Sequence, residues 1–436
     1  MEALESKSVG ADTWTEDLAY SKISRRLIPF LFACYIFNFL DRVNVGFAKL
    51  QMQQQLGFSE TVYGLAAGIF FIGYCFCEVP SNLLLVRFGA RRWIARIMIT
   101  WGAISTLTMF VNSANTFYIF RLLLGIMEAG FFPGIILYLT YWYPPKKRAQ
   151  ITALFMAAIP ASGIIGGPLS GWLLENAKGV LGLAGWQWLF LVEGLPTVIL
   201  GIATLWYLDD GIAASKWLTV DEKKILQHNL DMEKKDKTLV SLKEGLFDWK
   251  VWVLCIVYFC YAACVSGYMF WMPQMIKSSG IKNAFHIGLL FMIPNALSMI
   301  GMICAGRSSD RKLERRWHIL SLSTIAVLGL ALSGVFGAHT WMAVFAASLG
   351  LMGVLSSQVI YWSLPTALLA GTASAGGIAL INSVGCLSGF FAPYMLGYVK
   401  DATQSLALGL YVLAALVILA SVLVMIFGPR RPASIS

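Results

Sequence analysis

The sequence predicts an all-α polytopic membrane protein, twelve transmembrane helices in two six-helix bundles, and three observations carry that prediction. The 436 residues are 58% hydrophobic and only 13% charged, about half the charged share of a soluble chain. The apolar residues gather into runs of about twenty, the length that crosses a hydrocarbon layer ~30 Å thick. Lipid offers the backbone no hydrogen-bond partners, so such runs must be helical.

The spans fall near 27–46, 61–84, 92–112, 115–141, 150–174, 187–208, 250–273, 285–306, 317–337, 340–362, 372–398 and 405–427. The longest polar stretch, Asp209 to Lys250, follows the sixth span. It separates an N-terminal bundle, 1–208, from a C-terminal bundle, 250–436, with a central loop at 209–249. Within that loop Thr219 precedes Glu222 at capping-box spacing, which predicts a short surface helix. The N-terminal segment, Met1 to Arg26, is polar and mixed in charge. It lacks the basic start, apolar core and small-residue site of a cleaved signal, so the first span is expected to persist.

Charge sets the orientation. The net charge is +10, which could suggest nucleic acid, but the basic residues line one side of the membrane. Arg25 and Arg26, Arg87 to Arg96, Lys146 to Arg148, the central-loop lysines, Arg307 to Arg316 and Arg430 with Arg431 share the side of both termini. Opposite them are only Lys49, Lys178, Lys277, Lys282 and Lys400. By the positive-inside rule both termini are cytoplasmic, as in a bacterial inner membrane, and no nucleic-acid partner is implied. The basic residues left within spans are Arg42 and Arg121. The eight cysteines all fall in apolar spans as small packing residues, with no Cys-x-x-Cys or nearby histidine to hold a metal. No cofactor is expected.

An ionised side chain near mid-bilayer costs at least about 2.5–3.5 kcal/mol, so such residues mark function. The first six spans hold Asp41 and Arg42, Glu78, and Arg121 and Glu128; Glu193, near the start of the sixth, is read as an interface residue. The last six hold none at comparable depth. Arg121 and Glu128 are two turns apart on one face, and Asp41 and Arg121 should share a level, so an Asp41–Arg121 pair is expected. Arginine receives a carboxylate as a two-pronged donor, and burial lets carboxyls load and release protons. Glu78, beside Pro80, suits a gate or helix end as well as proton carriage. Together these residues imply handling of a small organic anion and protons. Enzyme motifs are missing: there is no His-Glu-x-x-His and no Gly-x-Ser-x-Gly.

Glycines crowd the fourth, fifth and eleventh spans, where helices can approach closely. The similar fifth and eleventh hint at two related halves. Aromatic residues at Tyr258, Tyr261, Tyr268, Phe270, Trp271, Tyr361 and Trp362 suit either an aromatic acid or helix packing.

At these residues the chain resembles the major facilitator superfamily, and within it the anion:cation symporter family of tartrate, phthalate, hydroxyphenylacetate and sugar-acid permeases. The matching pieces are Asp41-Arg42-x-Asn44, Gly73-Tyr74 with Glu78-Val-Pro-Ser-Asn82, and the run from Arg121 to Gly134. Trp217-Leu-Thr, Trp362-Ser-Leu-Pro365-Thr366, Ile381-Asn382-Ser383 and Gly389 to Tyr394 complete them. The resemblance implies alternating access between the two bundles, with proton-coupled uptake of an organic anion by a monomer. It implies substrate contacts at Arg42, Arg121, Tyr74, Trp362 and Asn382, and proton carriage at Asp41 and Glu128. Gly306-x-x-x-Asp310-Arg311 implies a cytoplasmic latch in the second half; in the first half Val86 replaces the usual aspartate before Arg87. The alternatives are an exchanger or exporter of the same fold, or a non-transporting sensor. The substrate is narrowed to an aromatic or hydroxylated carboxylate.

Overall fold

A computed structural model describes residues 2–144, 151, 154–235, 249–312, 314–368 and 373–428, with the side chains of 2–15, 232–235, 310 and 366–379 left aside. Among the described residues twelve helices are long and apolar enough to cross a membrane: helix 1 (Glu16–Leu56), helix 2 (Glu60–Phe88), helix 3 (Ala90–Phe110), helix 4 (Ala114–Thr140), helix 5 (Leu154–Asn176) and helix 6 (Gly185–Tyr207). Helix 7 (Trp249–Ser278), helix 8 (Ala284–Ser309), helix 9 (Arg316–Val335), helix 10 (Thr340–Pro365), helix 11 (Leu380–Thr403) and helix 12 (Ala407–Phe427) follow. No strand occurs among the described residues.

Several helices outrun their apolar spans, because hydropathy marks only the stretch facing lipid while backbone hydrogen bonding continues. Helix 1 stops only at Gly57, whose φ of 69° lies in the left-handed region. Ser59 then caps helix 2, its Oγ accepting from Val62 N at 3.1 Å. The expected box in the central loop is present: Thr219 N donates to Glu222 Oε2 at 2.7 Å and Glu222 N to Thr219 Oγ1 at 3.3 Å. It opens a surface helix, Val220–Lys235.

Helix 4 departs from the expected single span. It breaks after Glu128, where Ala129 turns extended and Gly130 takes φ 86°, and resumes at Phe131. A side chain at Gly130 would sit 2.6 Å from Ser81 Cβ, so the break is pressed against helix 2.

Helix 5 packs along helix 8, and helix 2 along helix 11. Counting six helices onward carries the pair 5–8 to the pair 11–2, so the glycine-rich helices 5 and 11 occupy corresponding places. A Cβ at Gly167 would lie 2.6 Å from Gly288 O, and one at Gly68 2.8 Å from Phe390 O. Only glycine permits backbones this close.

Candidate functional site

The interior of helices 1–6 is built around an ion pair. Arg42 on helix 1 donates from Nε to Glu128 Oε1 at 2.7 Å, and Asn38, one turn earlier, donates to the same oxygen at 2.8 Å. Glu128 is fully buried, and its Oε2 has no hydrogen-bond partner among the described residues. It ends the first segment of helix 4, so the break that follows leaves its carboxyl at a helix end. The guanidinium of Arg42 lies 5.2 Å from the Tyr74 ring, 5.2 Å from Phe39 and 5.3 Å from Phe70. Aromatic faces favour a cation, while the unused fork of the guanidinium can take a second carboxylate.

Arg121 is separate. Its Nε donates to Ala66 O at 3.2 Å, its Nη2 reaches Ala67 O at 3.5 Å, and its Nη1 has no partner. The Phe70 ring lies 4.8 Å from its carbon centre. This buried arginine faces backbone carbonyls of helix 2 and forms no ion pair among the described residues.

The expected Asp41–Arg121 pair does not form. Asp41 accepts from Trp101 Nε1 at 2.7 Å, Ser105 Oγ at 2.5 Å, Thr197 Oγ1 at 3.3 Å and Asn44 Nδ2 at 3.4 Å. The reason is angular: neighbours on a helix point about 100° apart, by its 3.6 residues per turn. With Arg42 aimed at helix 4, Asp41 faces helices 3 and 6. There it meets the neighbourhood of Glu193, which is not an interface residue but fully buried. Ser170 Oγ donates to Glu193 Oε1 at 2.8 Å.

Glu78 lies ten residues before Phe88, well inside helix 2 rather than at its end. Asn382 on helix 11 donates to Glu78 Oε1 at 3.0 Å, and Cys386 Sγ approaches Oε2 at 4.0 Å. Tyr74 stands one turn before Glu78 on the same face. A run of contacts and shared faces therefore leads from Glu128 through Arg42, Tyr74 and Glu78 to Asn382. Trp362 packs edge-on to Tyr258 at 4.8 Å, and Tyr361 stacks on Tyr258 at 5.6 Å. Arg311 lies exposed in the last turn of the helical run that continues helix 8 to Lys312. The side chain of Asp310, and with it the expected latch, lies outside the described residues.

A cluster that sequence reasoning missed closes the end opposite the termini. Lys49, which the sequence places just past the first span on the side opposite the termini, lies within helix 1, fully buried, with Nζ 3.4 Å from the Trp271 centroid and 4.4 Å from Tyr63. It pairs with Glu60, whose other oxygen takes Lys400 Nζ at 2.9 Å. Asp401 accepts from the helix 2 start, at 3.2 Å from Glu60 N and 2.7 Å from Thr61 N. Lys277 Nζ donates to Leu50 O at 2.9 Å and Ala284 N to Glu175 Oε2 at 3.0 Å, so helices 7, 8 and 11 are tied to helices 1, 2 and 5. The sequence signal for this cluster was present in the Glu60-Thr61 and Lys400-Asp401 pairs, both at span ends.

Comparison with known proteins agrees with this architecture. The major facilitator superfamily model matches residues 31–393. The chain is 47% identical over 408 residues to a putative metabolite transport protein, NicT, of Pseudomonas putida, covering 93% of each. It is 45% identical over 417 residues to a putative tartrate transporter of Agrobacterium vitis, covering 95% of this chain and 92% of the relative. Among solved structures, a bacterial homologue of the human lysosomal transporter Spinster, inward-facing and occupied, superposes with a TM-score of 0.75 at 15% identity, over 92% of this chain and 96% of that one. The chain therefore belongs to the major facilitator superfamily, as a multi-pass membrane transporter and not an enzyme.

Proposed function

We propose that the protein imports an organic anion, an aromatic or hydroxylated carboxylate, together with protons, by alternating access between helices 1–6 and 7–12. The observation that carries this reading is the buried Arg42–Glu128 pair with its unpartnered oxygen. A proton on Glu128 releases Arg42 to a substrate carboxylate, and loss of that proton returns Arg42 to Glu128. Competition for one guanidinium thereby couples the two ligands. Arg121 supplies a second donor, and Asp41 a second acid. Tyr74, Trp362 and Asn382 form the neutral wall around the substrate, and the Glu78–Asn382 contact closes the path between the halves. The similarity to a tartrate transporter supports a hydroxylated acid; the Tyr258–Tyr361–Trp362 group supports an aromatic one.

On this reading the termini are cytoplasmic in a bacterial inner membrane, and the Lys49 cluster is an extracellular gate. Asp310 and Arg311 belong to its cytoplasmic counterpart, and the monomer is the working unit. The test is uptake into proteoliposomes with and without an imposed pH gradient, over a panel of hydroxylated and aromatic carboxylates. The expected result is gradient-driven accumulation in the wild type, and in Glu128→Gln counterflow without accumulation. Full accumulation by Glu128→Gln removes Glu128 from the coupling. No thermal stabilisation by any carboxylate removes the anion assignment.

A further inference from the structure

Two acids meet in the interior of helices 1–6 with no cation between them. Glu193 on helix 6 and Asp41 on helix 1 are each at most 1% exposed. Ser170 on helix 5 serves Glu193, while Trp101 and Ser105 on helix 3 and Thr197 on helix 6 serve Asp41. Asn44, nearly one turn beyond Asp41, is buried beside it. Its Nδ2 is 3.4 Å from Asp41 Oδ1, and Thr197, one turn beyond Glu193 on helix 6, donates to Asp41 Oδ2 at 3.3 Å, which brings the two acids to one place. The other charged groups around this pocket are Glu128 and Arg121, which face it from helix 4 without contact. No basic side chain pairs with either acid among the described residues.

Two buried acceptors are left over in this region: among the described residues Glu193 Oε2 and Asn44 Oδ1 both lack a hydrogen-bond donor. Two ionised carboxylates in a dry interior, without a cation, lose their hydration with nothing to compensate it. A single proton removes the conflict. On Glu193 it supplies a donor for Asn44 Oδ1, while Asn44 Nδ2 continues to serve Asp41. If the amide is turned, the same proton on Asp41 satisfies the same groups, so the conclusion does not depend on how the amide is oriented.

We infer that Asp41, Asn44 and Glu193 form a second proton-binding site, distinct from Glu128, holding one proton between two carboxyls while the end opposite the termini is closed. The site extends the proton-coupled reading above: Asp41 no longer acts alone, and Glu193 is the added carrier. Opening that end separates the helix 5–8 contact behind Ser170 and brings water to the pair. The proton then exchanges with that side, as a carboxylic O–H that breaks to leave the carboxylate and hydrated H⁺.

Glu193→Gln tests the site with two readouts. The first is the infrared carbonyl stretch of protonated carboxylic acids in the purified protein at neutral pH. The second is the proton-to-substrate ratio from reversal of flux in proteoliposomes. Expected are loss of one protonated-acid signal, persistent counterflow, and one proton fewer per substrate. Steady accumulation then falls by about tenfold for each pH unit of gradient. An unchanged infrared signal overturns the site; a lost signal with a wild-type ratio overturns its part in coupling. If Glu193→Gln does not fold or abolishes all flux, Asn44→Leu serves. It removes the bridging amide, and the proton affinity of the remaining acid signal must move; an unmoved titration overturns the bridge. Should wild-type flux ignore the pH gradient, the proton-coupled reading fails while the infrared result still decides whether the pair holds a proton.

Discussion

Helices 1–6 and helices 7–12 share one architecture and divide their polar content unequally. The first set buries Asp41, Lys49, Glu78, Arg121, Glu128 and Glu193; among the described residues the second buries no charged side chain, only neutral groups such as Asn295, Ser298 and Ser323. Charge in a membrane is costly and must be matched by a partner held in a fixed place. On the alternating-access reading proposed above, keeping the partners of Arg42 and Asp41 within one half leaves those contacts intact as the halves rock. The Arg42–Glu128 and Asp41 groups lie wholly within helices 1–6, while the contacts crossing to helices 7–12 include the Glu78–Asn382 hydrogen bond, backbone approaches and, at the closed end, a charged cluster. There the Lys49–Glu60–Lys400 chain does cross, where on that reading an opening motion would admit water to replace it.

That contrast can be broken by mutation. Arg42→Gln leaves Glu128 buried without its cation, a loss of about 3–5 kcal/mol of stability. It should abolish uptake and lower the thermal midpoint more than Trp362→Phe in the second half. Equal effects from the two would break the contrast. Lys49→Met should leave the Arg42 pair intact and weaken the closed end. Spin labels at Gln54→Cys and Ala402→Cys, with the native cysteines replaced, should report a wider population increased about tenfold, the ratio set by ~1.4 kcal/mol, below the ~1.5–3 kcal/mol of a charged hydrogen bond. An unchanged distance distribution would remove Lys49 from the gate.

Gly167→Ala sharpens the same point without charge, because its Cβ would press Gly288 O at 2.6 Å and Phe291 Cδ1 at 2.9 Å. The expected shift is in the same direction, at about 1–3 kcal/mol. Gly306→Ala, with nothing within 4 Å of its Cβ, is the control. The smallest effect is at the surface helix. Glu222 pairs with Lys22 at 3.1 Å, and despite partial burial its carboxyl is held below the ordinary range by Thr219 N–H and Lys22. A lowered carboxyl value contributes stability above the unfolded pKa and loses it as pH falls through the folded value. Glu222→Gln should cost less than about 1 kcal/mol near pH 7 and nothing in strong acid, read by thermal unfolding against pH.

Much of this was legible in the sequence. Span number follows from apolar run length, and the Thr219–Glu222 cap from spacing, because both depend on neighbours along the chain. Arg42, Glu78 and Glu128 could be singled out by the cost of burying charge. Their partners could not. Whether Asp41 meets Arg121 or Trp101 depends on the rotation of helix 1 against three others, and one residue's step turns the side chain to another neighbour. Lys49 and Glu193 were misjudged because both stand near the ends of apolar runs, where a charge is ordinarily wet. What buries Lys49 is Trp271, far along the chain, and no local pattern signals that. The break in helix 4 falls within a continuous apolar run, so hydropathy passes over it; only the Gly130 conformation records it.

The enclosure of Lys49 also orders the protein's biogenesis. Helix 1 is synthesised and inserted long before helix 7 brings Trp271 and helix 11 brings Lys400, so Lys49 first enters the bilayer with its ammonium reaching to the water interface. It loses that water only when the later helices dock. A nascent chain ending before helix 7 therefore presents a lysine that amine reagents can modify, and the finished transporter hides it whenever that end is closed. Protection of this one amine is a readout of when the two halves of the chain have come together.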